Sequence, residues 1–324
     1  MDLPKLQNLD VKQKKVLVRM DLDISPEEVF RLEKALPTLE YLRDQASKII
    51  IIGHKGRPDG KKVSELSLEP VSKALEELLT EKWGNKAMDT LNMNMMENLR
   101  FDQGEEANNA DFAKHLAAFG EVYVNEAFAS SHRQHASIVS LPKLLPHAAG
   151  IRFAQEVENL SKILDGPNRP VVLILSGVKK DKLNFLNSFK NFADKILVAG
   201  RLPEYLDEDY KDNKVTVARL LPDKEDITIH SIEAFEREIS KAGTIIVGGP
   251  VGKFEDEGHR QGTKRVFEAV ANSNAFKIAG GGETEKAIEM LNLQDKFDWI
   301  SVGGGAMLEF LAKRTLPGIE ALLN

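Results

Sequence analysis

The 324-residue chain has no cysteine, which excludes disulfide frameworks, thiolate metal sites and cysteine nucleophiles. Nowhere do eighteen apolar residues run together, and the opening MDLPKLQNLDVKQKK has no apolar core of a leader. Neither a membrane span nor a signal peptide is expected, and the reading is a cytoplasmic protein without membrane partners. An excess of basic residues is also missing: the formal net charge is -6, which argues against nucleic acid as a partner. Positive charge that matters here is therefore local. Two common phosphate signatures are absent as well. There is no G-x-x-x-x-G-K-[ST], and no first βα turn carries the G-x-G-x-x-G of dinucleotide binders, which disfavours an NAD-dependent dehydrogenase.

What is present is an alternating pattern. Apolar runs of strand length occupy 15–24, 48–53, 93–99 and 121–128, and again 169–177, 195–200, 243–249, 276–282 and 298–305. Between the first four lie PEEVFRLEKALPTLEYLRDQ (26–45), SLEPVSKALEELLTEKW (67–83) and NADFAKHLAAFG (109–120), whose apolar residues recur at three and four. Such alternation predicts parallel sheets covered on both faces by helices. The length suggests two domains, with one large α/β barrel as the competitor. QEVENLSKILDGPNRP (155–170) reads as a helix joining the halves, closed by Gly166 and Pro167. Residues 201–242 are rich in charge, poor in periodicity and left unplaced.

Ligands of open parallel sheets bind beyond the carboxyl ends of the strands, so the residues following each strand carry the functional signal. In the first half these are Asp21 and Asp23, His54 and Arg57 in GHKGRPDG, Arg100, and His132 and Arg133 in SSHRQH. Any one of them is ordinarily a solvated loop charge. Several strand ends delivering Arg or His to one rim suggest a pocket for a small, multiply anionic molecule, because the guanidinium fork matches carboxylate and phosphate oxygens. The second half instead offers glycine at its strand ends, in SGVKK (176–180), AGR (199–201), GGPVGKFE (248–255), GGGET (280–284) and GGGAM (303–307). Bare amides at helix N-termini attract anions. Lys179, Lys180 and Lys182 read as the first turn of a helix, where cations are unfavourable unless an anion is present.

In this order, VLVRMDLDIS, GHKGRPDG, MENLRF, VNEAFASSHRQHAS, GGPVGKFE, GGGET and GGGAMLEFL resemble the motifs of phosphoglycerate kinase across nearly the whole chain. The resemblance implies an α/β protein of two Rossmann-like three-layer domains whose parallel sheets face a central cleft. It implies residues 1–165 as the phosphoglycerate-binding domain with its hinge helix, and 166–324 as a shortened nucleotide-binding domain. The implied reaction is reversible transfer of a phosphoryl group from 1,3-bisphosphoglycerate to ADP, giving 3-phosphoglycerate and ATP, with Mg2+ carried by the nucleotide and a monomeric enzyme.

Carried over by motif, Asp21, Asp23, Arg31, His54, Arg57, Arg100, His132 and Arg133 surround the acid substrate. Arg31 is also expected at the transferred phosphoryl, with Lys179, Lys182, Gly303 and Gly304. The nucleotide falls to Lys179, Lys182, Gly200, Gly248, Gly249, Pro250, Glu255, Gly280, Gly281, Gly282, Glu283 and Thr284, and the metal to Glu283. The chain also departs from the family's pattern. Lys179 and Lys182 stand three apart where the family's pair stands four apart, a spacing that still shares one helical face. Glu283 replaces an aspartate, Ala129 a glycine and Met307 a serine, Val247 to Pro250 stands for W-N-G-P, and Ala199 to Leu202 stands for G-G-G-M. The segment after AGRLPEYL is shorter than in the family, so the alternative is a non-catalytic phosphoglycerate- or anion-binding protein whose nucleotide site has decayed.

Overall fold

A computed structural model describes residues 2–27, 29–84, 88 and 92–324. Eleven strands form two sheets: β1 (Lys15–Arg19), β2 (Lys48–Ile52), β3 (Met93–Met95), β4 (Val122–Asn125) and β5 (His147–Ala149) in the first, and β6 (Val171–Leu175), β7 (Lys195–Val198), β8 (Val215–Val217), β9 (Thr244–Val247), β10 (Phe276–Gly280) and β11 (Trp299–Ser301) in the second. Every pairing is parallel. The strand orders are β3-β2-β1-β4-β5 and β11-β10-β9-β6-β7-β8, both open, which excludes the single barrel. Each order reverses once, between β1 and β4 and between β6 and β9, and such switch points leave a crevice beyond the strand ends.

Both sheets are buried on both faces, as wholly parallel sheets must be. In the first, Val16, Val18, Ile49, Ile51 and Val124 share a core with Leu32, Leu36 and Leu39 of the helix Phe30–Arg43 and Val71, Leu75 and Leu79 of the helix Glu69–Trp83. The alternate residues Leu17, Ile50 and Tyr123 are buried too. In the second, Val172, Ile174, Ile245 and Val247 pack with Phe235 of the helix Ile229–Ile239 and Phe267 of the helix Gln261–Asn272, while Leu173, Ile196 and Ile246 are buried on the other face. No helix among the described residues is long and apolar enough to cross a membrane.

By its contacts the chain divides into Met1–Glu158 with Thr315–Asn324, and Asn159–Arg314. The expected division stood at 165/166 with the terminus in the second domain; here the boundary falls inside the helix Ile151–Asp165, and the last residues return to the first unit. Arg314, left-handed at φ 63, ends the helix Gly304–Lys313 and turns the chain back. The tail helix Pro317–Leu323 then buries Ile319 and Leu322, and the Gly318 amide donates to the Ser131 carbonyl at 2.9 Å. A side chain at 318 would strike the Ser131 hydroxyl, so glycine lets the tail lie on the loop that carries His132 and Arg133.

Several elements are shorter than their apolar runs. The strand expected over 93–99 stops at Met95, because Asn98 accepts from the Arg100 amide and winds Leu99–Phe101 into a 3-10 turn. The helix expected over 26–45 spans Phe30–Arg43 and passes through Pro37. The unplaced 201–242 contains β8 and the helix Ile229–Ile239.

Beyond β4 lies a buried carboxyl. Glu126 accepts from the amides of Arg152 and Phe153 at 3.1 and 3.4 Å, and Thr38 adds a hydrogen bond from the helix Phe30–Arg43. Burial outweighs these bonds and pushes its pKa up to about 8. A carboxyl whose folded value is raised contributes stability that is fully present below its unfolded value near 4.5 and is lost as pH rises through about 8. Glu126→Gln cannot ionise, so its urea midpoint is expected to gain on that of the wild type between pH 5 and pH 8. Parallel midpoints across that window would mean that Glu126 does not titrate there.

Candidate active site

At the carboxyl ends of β1 and β2 the first unit gathers basic side chains. Arg19, the last residue of β1 and fully buried, spreads its guanidinium over three partners: Nε donates to the Ser137 hydroxyl at 2.9 Å, one terminal nitrogen to the Met20 carbonyl, and the other to His54 Nδ1 at 2.7 Å. His54 follows β2 across Gly53, where a side chain would run into Leu22. Arg100, 2% exposed, donates to the Gly56 carbonyl at 2.5 Å and faces the Glu106 carboxylate at 3.1 Å. The Glu106 contact is made by Nε as an ion pair, and Nη2 makes no hydrogen bond among the described residues. The rings of His54 and His135 meet edge to face at 6.2 Å.

Like charges at this density depress one another. Burial first, then Arg19, Arg100, His135 and Arg133, hold His54 well below the ordinary histidine value. Burial, then Arg100, Arg19, Arg133 and His132, pull His135 down to about 3. Both imidazoles are therefore neutral near pH 7, and the positive charge resides on the guanidinium groups. Unmade donors on a buried cation are costly, and an anion that accepts from them is the group that relieves the cost.

The two acids expected here act first on the backbone. Asp21 accepts from the Ser130 hydroxyl at 2.5 Å and the Ala129 amide at 2.7 Å, so it ties the end of β1 to the loop beyond β4. Asp23 accepts from the Gly56 amide at 2.8 Å, and its carbonyl accepts from Arg31 at 3.0 Å. Gly56 is left-handed at φ +61, a conformation glycine adopts without strain. Asp23, Arg31, Gly56 and Arg100 thus form one linked group. Arg57 is exposed beside it, and His132 and Arg133 are half-buried. Arg19 and His135 are additions from the structure. Their signals were an arginine ending an otherwise apolar strand and the second histidine of SSHRQH.

The second unit offers main chain. Beyond β6 and β9, Ser176, Gly177, Gly248 and Gly249 face one another across the switch point, and Lys182 Nζ donates to the carbonyls of Ser176 and Gly248 at 2.5 and 2.7 Å. Burial, opposed by Asp181 and aided by Lys179, pulls this ammonium down to about 8. The lysines do not share an α-helical face as expected. Lys180–Phe185 is a 3-10 helix, Lys179 precedes it in extended backbone and is exposed, and Lys182 folds back. The carbonyl oxygens of Ser176 and Gly248 take up part of the charge of Lys182 beside the helix start.

Close backbone approaches explain the glycines. A side chain at Gly200, left-handed at φ +61, would meet Gly177, and one at Gly249 would strike the Ser176 carbonyl. Pro250 accepts from the Ser176 hydroxyl at 2.5 Å. Gly281 caps the helix Gly282–Met290, Gly303 caps Gly304–Lys313, and neither start has a side-chain cap. A side chain at Gly304 would hit Gly280 and Gly281 at 2.7 Å, so the two amide-rich starts lie together. Thr284 is buried and donates to the Gly280 carbonyl at 3.0 Å; Glu255 is exposed. Glu283 is exposed in the first turn, 3.6 Å from Lys286. No group of three or more acidic or histidine side chains among the described residues could cage a metal. An exposed carboxylate beside two bare helix starts has the chemistry of a Mg2+ site, since Mg2+ takes one or two carboxylates, waters and phosphates of a bound ligand.

The sequence pattern of the family described as phosphoglycerate kinase matches residues 6–208 and 204–314. The phosphoglycerate kinase of Dictyoglomus turgidum is 36% identical over 387 aligned positions, covering 98% of this chain and 97% of the relative. That of Rubrobacter xylanophilus is 34% identical over 99% and 98%. Both alignments exceed the chain's own length, so this protein lacks segments that those relatives have. Among solved structures, phosphoglycerate kinase from Coxiella burnetii superposes with a TM-score of 0.80 at 28% identity over 99% of both chains, and that from Pyrococcus horikoshii with 0.83 at 25% over 99% and 98%. With the family pattern matched over most of its length and relatives at 34–36% identity over nearly all of it, the chain belongs to the phosphoglycerate kinase family.

Proposed function

We propose that this protein catalyses reversible phosphoryl transfer between 1,3-bisphosphoglycerate and ADP, yielding 3-phosphoglycerate and ATP. The observation that carries the reading is the buried Arg19 and Arg100 with half-buried Arg133 beside them and an unmade donor on Arg100, in a chain matching the family over residues 6–314. Nothing supports the alternative of a binding protein without catalysis. A cytoplasmic monomer goes with this reading.

In the ATP-forming direction an oxygen of the ADP β-phosphate bonds to the acyl phosphorus. The bond from phosphorus to the carboxyl oxygen breaks, leaving the carboxylate of 3-phosphoglycerate. Charge spreads over the three oxygens of the moving group, so the protein's task is positioning and charge stabilisation. We assign binding of the acid and its phosphate to Asp21, Asp23, His54, Arg57, Arg100, His132 and Arg133, joined by Arg19 and His135. Arg31, held at the Asp23 carbonyl, donates to the moving phosphoryl. Lys179, Lys182 and the amides starting at Gly303 and Gly304 receive it. The nucleotide lies along Gly200, Gly248 to Pro250, Glu255 and Gly280 to Thr284. Bound Mg2+ would neutralise phosphate charge, with Glu283 as its protein ligand.

A coupled assay with 3-phosphoglycerate, MgATP and a reporter of 1,3-bisphosphoglycerate is expected to give turnover, and none would contradict the reading. Arg31→Ala is expected to lower kcat by roughly 10²–10³-fold, the scale of losing one preorganised charge stabiliser; wild-type turnover would remove its role. Lys179→Ala is expected to reduce turnover while leaving Tm unchanged, because its side chain is exposed. Lys182→Ala is expected to lower both, because it also loses the bridge between Ser176 and Gly248. An inactive Lys182→Ala beside a fully active Lys179→Ala would assign the function to Lys182 alone.

A further inference from the structure

We propose that Ser137 and Glu105 are positioning residues for the acid-substrate site: they orient Arg19 and, through it, hold His54 as the neutral Nε2–H tautomer. The inference rests on the phosphoglycerate kinase reading above and names residues to which that reading gives no part.

The geometry is a buried chain in which each proton has one place. Glu105, fully buried, accepts from the Ser137 amide at 2.9 Å with one oxygen and from the Ser137 hydroxyl at 2.6 Å with the other. The hydroxyl proton is thus committed to the carboxylate, which leaves the oxygen as acceptor for Arg19 Nε at 2.9 Å. The guanidinium can only donate, so its 2.7 Å contact with His54 Nδ1 requires a lone pair there, and the ring's proton resides on Nε2. A proton on Nδ1 would set N–H against N–H.

The remaining neighbours reinforce this state. Arg19, Arg100, Arg133 and His135 surround the ring and oppose a second proton. Tyr123 donates to the Ser137 carbonyl at 2.7 Å from β4 and fixes the backbone on which the hydroxyl stands. His54 Nε2 makes no hydrogen bond among the described residues, so its N–H is available to an anionic oxygen of the substrate. Glu105 meanwhile stands behind Ser137, the acceptor of Arg19 Nε, and lies 3.7 Å from His135. A serine relay between carboxylate and guanidinium fixes direction as well as charge, which a bare ion pair would not do.

A purely structural role would leave His54 untouched. Nitrogen NMR of the wild type is expected to find His54 as the Nε2–H tautomer from about pH 5.5 to about pH 8; an Nδ1–H ring or titration within that window overturns the proposal without any variant. In Ser137→Ala the tautomers are expected to mix. The kcat/KM for 3-phosphoglycerate should fall by up to about 100-fold, the cost of a misplaced group, while the KM for nucleotide holds. Glu105→Gln is expected to release the tautomer in the same way, and it serves if Ser137→Ala does not fold. A lower Tm with an unchanged tautomer and unchanged kcat/KM would overturn the proposal. Absence of turnover in the wild type would refute the kinase reading, while the NMR still decides the positioning.

Discussion

Guanidinium groups buried side by side repel one another, and water is not there to screen them. In the first unit Arg19 and Arg100 lie almost wholly out of solvent, with Arg133 close enough to depress both His54 and His135. The fold offsets part of this with Glu105 behind Ser137 and Glu106 beside Arg100. The remainder is left for a ligand. Much else in the unit serves that concentration of charge: Gly53 admits His54 to the strand end, Asp21 pins the loop of Ala129 and Ser130, Asp23 holds Gly56 and Arg31, and the returning tail lies on Ser131.

The second unit solves the complementary problem without buried guanidinium. The surface assigned above to the nucleotide is main chain, bare because glycine stands where strands and helix starts come too close for a side chain. Backbone amides bring partial positive charge with no side-chain entropy to lose, and they cost nothing to leave hydrated when no nucleotide is present. Lys182 is the exception. It sits between Ser176 and Gly248, where carbonyl oxygens hold an ammonium already pulled down to about 8. Such a group exchanges partners readily, because phosphate oxygens are stronger acceptors than carbonyls.

The parallel sheets were legible because Ile49 to Ile52 and Val171 to Leu175 are too uniformly apolar for any exposed face, and the strand-end arginines because charge stands out beside such runs. Other parts were not. His147–Ala149 and Val215–Val217 are three residues long, too short to display a period, and each adds to its sheet only as an edge strand. Lys179 and Lys182 were read as helical from their spacing, but extended backbone at Lys179 and a 3-10 turn after it separate them. Arg19 was hidden by its strand, since only the tertiary partners Ser137 and His54 distinguish a site arginine from one reaching for solvent. The return of Thr315–Asn324 leaves no local mark in the sequence.

The central claim is that the basic array of the first unit exists to take a small polyanion. Calorimetric titration with 3-phosphoglycerate, in the absence of nucleotide and at two ionic strengths, tests it directly. One molecule is expected to bind per chain, more weakly at high salt because charge drives association. No binding, or binding that Arg100→Met leaves unaltered, would contradict the account.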